Sequence, residues 1–186
     1  GQWHLALALL EELIQIGLAP DVISFNATMS ACKGNALWQL AFVLFDKLLQ
    51  RGLDPDVVTC NTAISVCSAA QQVDQALALF IQLRERALEP SLISCNSAIS
   101  ACERDGQWER ALALLADMSQ YNLEASLVSF NSSISACEKA HRWWLALRLL
   151  SDMPQKCVIP DIVSYNAVLS ACEGGLCWEL ALSLVE

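Results

Sequence analysis

A period of 35 residues runs through the chain and restricts its fold more than any other feature. The stretch VISFNATMSAC at 22–32 returns in related form at 57–67, 92–102, 127–137 and 162–172. Self-similarity at a fixed period of this length is typical of stacked repeat architectures. An asparagine occupies the same position in every copy, although asparagine is a poor helix former. These asparagines are Asn26, Asn61, Asn96, Asn131 and Asn166.

Each repeat contains two apolar patterns with helical spacing. The first places apolar residues at i, i+4 and i+7, as at Phe25, Met29 and Cys32. The second, from Ala41 to Leu48, places them at i, i+3, i+4 and i+7. Both patterns give one apolar stripe along a helix. A single repeat cannot bury two stripes, whereas stacked repeats can, so the sequence predicts an all-α fold of the α-solenoid class.

Polar and special residues predict where these helices begin and end. A hydroxyl residue precedes the first apolar pattern of each repeat and is a candidate N-cap. The candidate N-caps are Ser24, Thr59, Ser94, Ser129 and Ser164. Gly52 and Asn122 follow second helices, where a left-handed residue is expected. Ala87 and Cys157 suit that conformation less well, and Pro154 is expected to shorten or kink its helix.

Composition excludes several classes of protein. The net charge of −9 excludes a uniformly basic nucleic-acid binder but leaves room for a locally basic groove. No apolar run approaches the ~20 residues of a membrane span. Cys60 and Cys67 lie seven residues apart, about 10 Å along a helix, which is too far for a disulfide. We therefore expect the cysteines to be buried free thiols, and we expect no metal and no cofactor. The sequence has no phosphate-binding loop and no HExxH motif, so it predicts no catalytic residue.

Three segments together resemble the pentatricopeptide repeat family: VISFNATMSAC at 22–32, QWERALALLADM at 107–118 and RGLDPD at 51–56. The resemblance, to the P-type with 35-residue units, covers the whole chain and implies a right-handed superhelix of helix-turn-helix repeats. It divides the chain into a partial repeat, four full repeats and a truncated repeat. Their bounds are 1–21, 22–56, 57–91, 92–126, 127–161 and 162–186.

The resemblance also implies a partner, single-stranded RNA, bound by a monomer at about one base per repeat. It places the protein in organellar RNA metabolism, in a mitochondrion or plastid, with any targeting segment outside this chain. The column asparagine and the last residue of its repeat would read each base. The pairs are Asn26 with Asp56, Asn61 with Ser91, Asn96 with Ser126 and Asn131 with Asp161, while Asn166 lacks a partner. By the family's rule, Asn with Asp favours U and Asn with Ser favours C, which gives 5′-UCCU-3′.

Two further sets of residues follow from the same resemblance. An aliphatic residue of each first helix would pack against base faces. These residues are Ile23, Val58, Ile93, Val128 and Val163. Arg104 and Lys139 match a position where the family often carries a cation near phosphate. The equivalent residues Gly34, Ala69 and Gly174 are uncharged, so this phosphate contact is expected in only two repeats.

Other interpretations of the same residues remain open. The asparagines could form a ladder of hydrogen bonds between neighbouring first helices. The whole chain could be a protein-binding helical-repeat scaffold, which the acidic net charge favours. Glu103, Glu138 and Glu173 end first helices near the expected RNA path, so we expect RNA binding to be weak and sensitive to salt. A tryptophan column at the start of second helices is expected to pack between repeats. It comprises Trp3, Trp38, Trp108, Trp143 and Trp178.

Overall fold

The computed structural model describes residues 2–35 and 37–174, which form ten α-helices and two 3₁₀-helices, with no strand among these residues. The first helices of the repeats are α2 (Val22–Cys32), α4 (Val57–Ala69), α6 (Leu92–Arg104), α8 (Leu127–Lys139) and α10 (Ile162–Gly174). The second helices are α1 (Trp3–Gln15), α3 (Trp38–Gln50), α5 (Val73–Glu85), α7 (Trp108–Asp117) and α9 (Trp143–Gln155). The 3₁₀-helices are Lys33–Asn35 and Met118–Tyr121. The predicted all-α fold of helical hairpins is confirmed.

The chain divides into two compact units, 1–97 and 98–186. In the first unit, α2 packs against α1, α3 and α4, and α4 packs against α3 and α5. Side chains of both apolar stripes are fully buried in this unit, among them Phe25, Ile64 and Leu44. A repeat in this unit therefore completes its core with side chains from its neighbours, as nearest-neighbour stacking requires.

In the second unit, α8 packs against α7, α9 and α10. Phe130 and Ile134 of α8 belong to a buried cluster with residues of α9 and α10. Trp108 and Trp143 are half-buried against this cluster, and the Arg142 guanidinium lies 5.2 Å from the centre of the Trp108 ring. These two tryptophans pack between repeats as expected, and the Trp178 prediction lies outside the described residues.

The N-cap prediction is wrong by three residues. In α2 and α4 the N-caps are Asp21 and Asp56, whose side chains accept hydrogen bonds from the backbone N–H of Ser24 and Thr59. The same arrangement recurs at Ser126 in α8. The hydroxyl residues stand at the third helical position, where in α4 and α8 they bond back to the backbone of the cap and complete a capping box.

At the ends of the second helices, only the expectation that Pro154 shortens its helix is wrong. Ala87 (φ 54°) and Cys157 (φ 58°) adopt the left-handed conformation, as Gly52 does (φ 71°). The backbone N–H of Leu88 donates to the carbonyl of Leu83 at 3.2 Å, a bond of a Schellman end that holds this conformation whichever residue is present. Pro154 does not shorten α9, which has 13 residues like α3 and α5, because near the last turn a proline removes only one bond.

Replacing Ala87 with glycine should therefore stabilise the protein by about 1 kcal/mol, because glycine adopts a positive φ without the cost of a Cβ. The replacement Gly52→Ala is the matched opposite and should destabilise it by a similar amount. Urea unfolding followed by circular dichroism measures both differences. A loss of stability in Ala87→Gly would show that the conformation is not left-handed in solution.

The buried cysteines behave as small apolar residues. Cys60 and Cys67 are free thiols, as are Cys32, Cys102 and Cys137. Burial raises the pKa of Cys67 to about 12 and that of Cys102 to about 11, so both thiols stay protonated near neutral pH. In the described part of the chain, no group of His, Cys, Asp and Glu is arranged to hold a metal ion. The helices found there are also too short or too polar to cross a bilayer.

Candidate nucleic-acid interface

The column asparagines bond to the start of the next first helix. In the first unit, Asn61 Nδ2 donates to Ser91 Oγ at 3.0 Å, and Ser94 Oγ donates to Asn61 Oδ1 at 2.5 Å. The two serine hydroxyls lie 3.0 Å apart, which closes a ring of three polar side chains. The expected ladder between first helices therefore takes another form here, because this asparagine bonds to the neighbouring cap and not to another asparagine.

The second unit repeats this arrangement with a carboxylate. Asn131 Nδ2 donates to Asp161 Oδ1 at 3.1 Å, and Ser164 Oγ donates to Asn131 Oδ1 at 2.6 Å. The backbone N–H of Ser164, and after it the Asn131 amide, hold the pKa of the Asp161 carboxyl below its ordinary value. The carboxylate thus remains ionised near neutral pH and can only accept hydrogen bonds.

The Asn26 pair has the same two residue types but a different arrangement. Asn26 Nδ2 lies 3.4 Å from Asp56 Oδ1, and Thr59 Oγ1 donates to Asp56 Oδ1 at 2.7 Å. Asn26 Oδ1 is buried and has no hydrogen-bond partner among the described residues. Burial disfavours ionisation of Asp56, but hydrogen bonds from Thr59 and Asn26 outweigh it and leave the pKa of this carboxyl lowered.

The remaining predicted readers are Asn96, Ser126 and Asn166. Asn96 belongs to the first unit and is half-buried, and Ser126 belongs to the second unit, where it caps α8. Asn166 is exposed on α10. The five aliphatic residues expected to pack against bases are all surface residues, with 54 to 74% of each exposed. They are Ile23, Val58, Ile93, Val128 and Val163.

A groove of about 440 Å³ in the second unit gathers several of the predicted residues. Asn131, Val163 and Asn166 line it, together with Glu103 and Glu138. Burial raises the pKa of Glu138, Lys139 opposes this shift, and Glu103 adds to it by charge repulsion. The groove can therefore bind a neutral polar ring with donors and acceptors, while its carboxylates repel phosphate.

The two predicted cations stand at helix ends. Arg104 and Lys139 are exposed in the last turns of α6 and α8. Neither is among the described residues that line the groove. From these positions they can meet a phosphate only outside the groove.

Sequence reasoning missed two sets of contacts. The hydroxyl residue at the third helical position was expected to be a cap, yet Ser94 and Ser164 donate to the carbonyl oxygen of a column asparagine. Serine pairs also join neighbouring first helices: Ser65 and Ser97 hydroxyls lie 2.8 Å apart, and those of Ser100 and Ser132 lie 3.1 Å apart. The signal for the second set was a serine column. It comprises Ser30, Ser65, Ser100, Ser135 and Ser170.

Solved structures share this fold. The pentatricopeptide repeat protein PPR10 from maize matches with a TM-score of 0.79 and 28% identity over 99% of this chain, which spans 26% of that protein. Its complex with an 18-nt psaJ RNA element matches with a TM-score of 0.79, 29% identity and 96% of this chain, again 26% of that one. The PPR domain of Arabidopsis thaliana protein-only RNase P 1, solved with tRNA, matches in fold alone (TM-score 0.71, 15% identity, 86% of this chain and 88% of that one).

Sequence comparison gives the family. The model of the PPR repeat family matches residues 20–67 and 55–102. The pentatricopeptide repeat domain matches residues 113–175, and the PPR repeat matches residues 93–123. Curated protein sequences give no significant match. Family models of one type thus follow one another from residue 20 to residue 175, with the helical hairpins and the asparagine column in phase, and the chain belongs to the pentatricopeptide repeat family.

Proposed function

We propose that this chain is a module that binds single-stranded RNA, reads about one base per repeat and prefers 5′-UCCU-3′. One observation carries the proposal: the amide of a column asparagine meets the last side chain of its own repeat. This contact is made by Asn61 with Ser91, and by Asn131 with Asp161. Two polar side chains fixed side by side form a defined pattern of donors and acceptors, which is what discrimination between base edges needs.

The surroundings of these pairs suit a flat aromatic ligand. The Val163 side chain is 54% exposed and lines the same groove as Asn131 and Asn166. An exposed aliphatic side chain beside a polar pair can cover the face of a base while the pair contacts its edge. The Asn131 amide retains a second N–H and a second lone pair for that edge, because each of its polar atoms has one partner within the protein.

The related complex supports RNA as the partner. The maize protein PPR10 was solved with an 18-nt RNA element, and this chain resembles about a quarter of that protein. A part of that size would contribute a footprint of four or five bases at one base per repeat. We place the chain in organellar RNA metabolism, as a monomeric binding module without a catalytic role.

Electrostatics favours a second candidate, a protein-binding scaffold. The net charge is −9, and Glu103 and Glu138 line the groove. Affinity for nucleic acid depends heavily on neutralising phosphates, so these carboxylates oppose RNA. A basic peptide would be attracted by the same charges. The base-reading pairs favour RNA over this alternative, with weak binding that falls as salt rises.

Fluorescence anisotropy tests the proposal. A labelled RNA carrying UCCU in a neutral context is compared with one carrying AGGA, at low and moderate salt. We expect UCCU to bind more tightly at both salt concentrations, and Asn61→Ala to reduce the advantage while circular dichroism stays unchanged. Equal binding of both RNAs, or none at low salt by a folded protein, would contradict the proposal and favour the protein-binding scaffold.

A further inference from the structure

We infer that the hydroxyl residue at the third position of the following first helix is a further determinant of base selection. The inference rests on the proposed function and concerns Thr59, Ser94 and Ser164. These residues do not touch a base, because none of the three is exposed to solvent. Each acts by fixing, or failing to fix, the amide of the asparagine in the preceding repeat.

Two repeats with the same pair of readers reveal the effect. Asn26 with Asp56 and Asn131 with Asp161 are both Asn–Asp pairs, so a rule based on two residues treats them alike. The structure distinguishes them: the Asn131 carbonyl oxygen accepts a bond from Ser164, whereas the Asn26 carbonyl oxygen accepts none from the residues that the structure describes. The bond from Asn26 to its aspartate is also longer than that from Asn131, 3.4 Å against 3.1 Å.

The chemistry of threonine and serine explains the difference. The Thr59 hydroxyl has one proton and directs it to Asp56 at 2.7 Å, so none is left for Asn26. The methyl group of threonine restricts χ1, so the Thr59 hydroxyl has fewer positions from which to reach Asn26 than a serine hydroxyl would have. The Ser164 hydroxyl lies 2.6 Å from Asn131 Oδ1 and 2.9 Å from Asp161 Oδ1, and its shorter contact is with the asparagine.

An amide that is not fixed reads less selectively. Rotation of an asparagine amide by 180° exchanges its donor and its acceptor. The hydrogen-bonding edges of uracil and cytosine differ by such an exchange, so an amide that rotates more easily distinguishes the two bases less well. Ser164 opposes this rotation at Asn131, because rotation breaks the short bond that its hydroxyl donates to the asparagine oxygen. In the described part of the chain the Asn26 oxygen has no such partner, and its amide is held only by the 3.4 Å bond from Nδ2 to Asp56.

The experiment compares the two U positions of UCCU in one protein. The first U faces the Asn26 repeat and the last faces the Asn131 repeat. We expect U→C to weaken binding about threefold to tenfold more at the last position than at the first. This range corresponds to the net free energy of one hydrogen bond. Thr59→Ser should raise the discrimination at the first position alone. Ser164→Thr should lower it at the last position alone.

Thr59→Ser and Ser164→Thr control each other, because each should leave the discrimination between U and C at the other position unchanged. A loss of folding would instead weaken binding to every RNA equally. The side-chain amide proton signals of Asn26 give a second readout without RNA, because Thr59→Ser should slow their exchange with water. If UCCU binds selectively and both exchanges leave the discrimination unchanged, the inference is wrong and the proposed function stands. If UCCU has no advantage over AGGA, the proposed function fails, and the inference fails with it.

Discussion

Replacing Phe130 with alanine should lower the free energy of unfolding by about 3–5 kcal/mol, the usual cost of removing a buried aromatic ring. Phe130 is 3% exposed and lies in the cluster that α8 shares with α9 and α10. Its ring packs among residues of two repeats, including Ile134 and Val168. The cavity would therefore weaken the stacking of neighbouring repeats as well as the hairpin that contains it. Urea unfolding followed by circular dichroism measures the loss.

Val128→Ala is the matched control, two residues away on the same helix. Val128 is 54% exposed, so its truncation should change stability by no more than about 0.5 kcal/mol. The same variant should weaken RNA binding, because the exposed valine would cover a base face. Equal losses of stability in both variants would contradict the burial of Phe130 and the exposure of Val128.

Replacing Glu103 and Glu138 together with lysine should strengthen RNA binding by a factor on the order of ten or more at low salt. Both carboxylates line the groove of the second unit, which Asn131 also lines. The exchange removes two repulsive charges and adds two attractive ones, so the binding constant should also fall more steeply as salt rises. Anisotropy titrations at several salt concentrations measure both effects.

The control changes the net charge by the same amount, but at two residues that do not line the groove. Glu109 and Glu124 are exposed and lie outside the first helices. Their replacement by lysine should raise the affinity much less. Equal gains from both double variants would contradict the groove as the RNA path and leave only a general effect of net charge.

The pH dependence of wild-type binding has a defined sign. The pKa of Glu138 is raised, chiefly by burial, so this side chain takes up a proton as pH falls toward and through the usual range of a glutamate. The pKa of Asp161 is lowered, and its carboxylate stays ionised over that interval. RNA affinity should therefore rise between about pH 7 and about pH 5, and Glu138→Gln should reduce the dependence. A fall in affinity on acidification would contradict this assignment.

The repeat period alone was enough to predict the helical hairpins, because two apolar stripes per repeat can be buried only by stacking. The helix starts were misplaced for a physical reason. Ser24 and Thr59 stand three residues inside their helices, and a capping box contains polar side chains at both of its positions. Sequence preference cannot tell which of the two positions is the cap when both carry suitable residues.

The finer structure of the site was beyond sequence reasoning. Asn26 and Asn131 have identical partners in the two-residue rule, yet one carbonyl oxygen is held and the other is not. The difference depends on whether the hydroxyl of the next first helix, Thr59 or Ser164, bonds to the asparagine oxygen. At Ala87 the backbone bonds of the turn fix the left-handed conformation, whatever the preference of the side chain.

The most direct test of base reading is to exchange the second reader of a repeat. Ser91→Asp should change the preference at the second base from C to U, and Asp161→Ser should change the last base from U to C. Both exchanges keep a residue that caps helices well, so the fold should persist. Anisotropy with UCCU, UUCU and UCCC should show each variant preferring its altered RNA by roughly fivefold to tenfold. An unchanged ranking of the three RNAs in folded variants would contradict the claim that these side chains read bases.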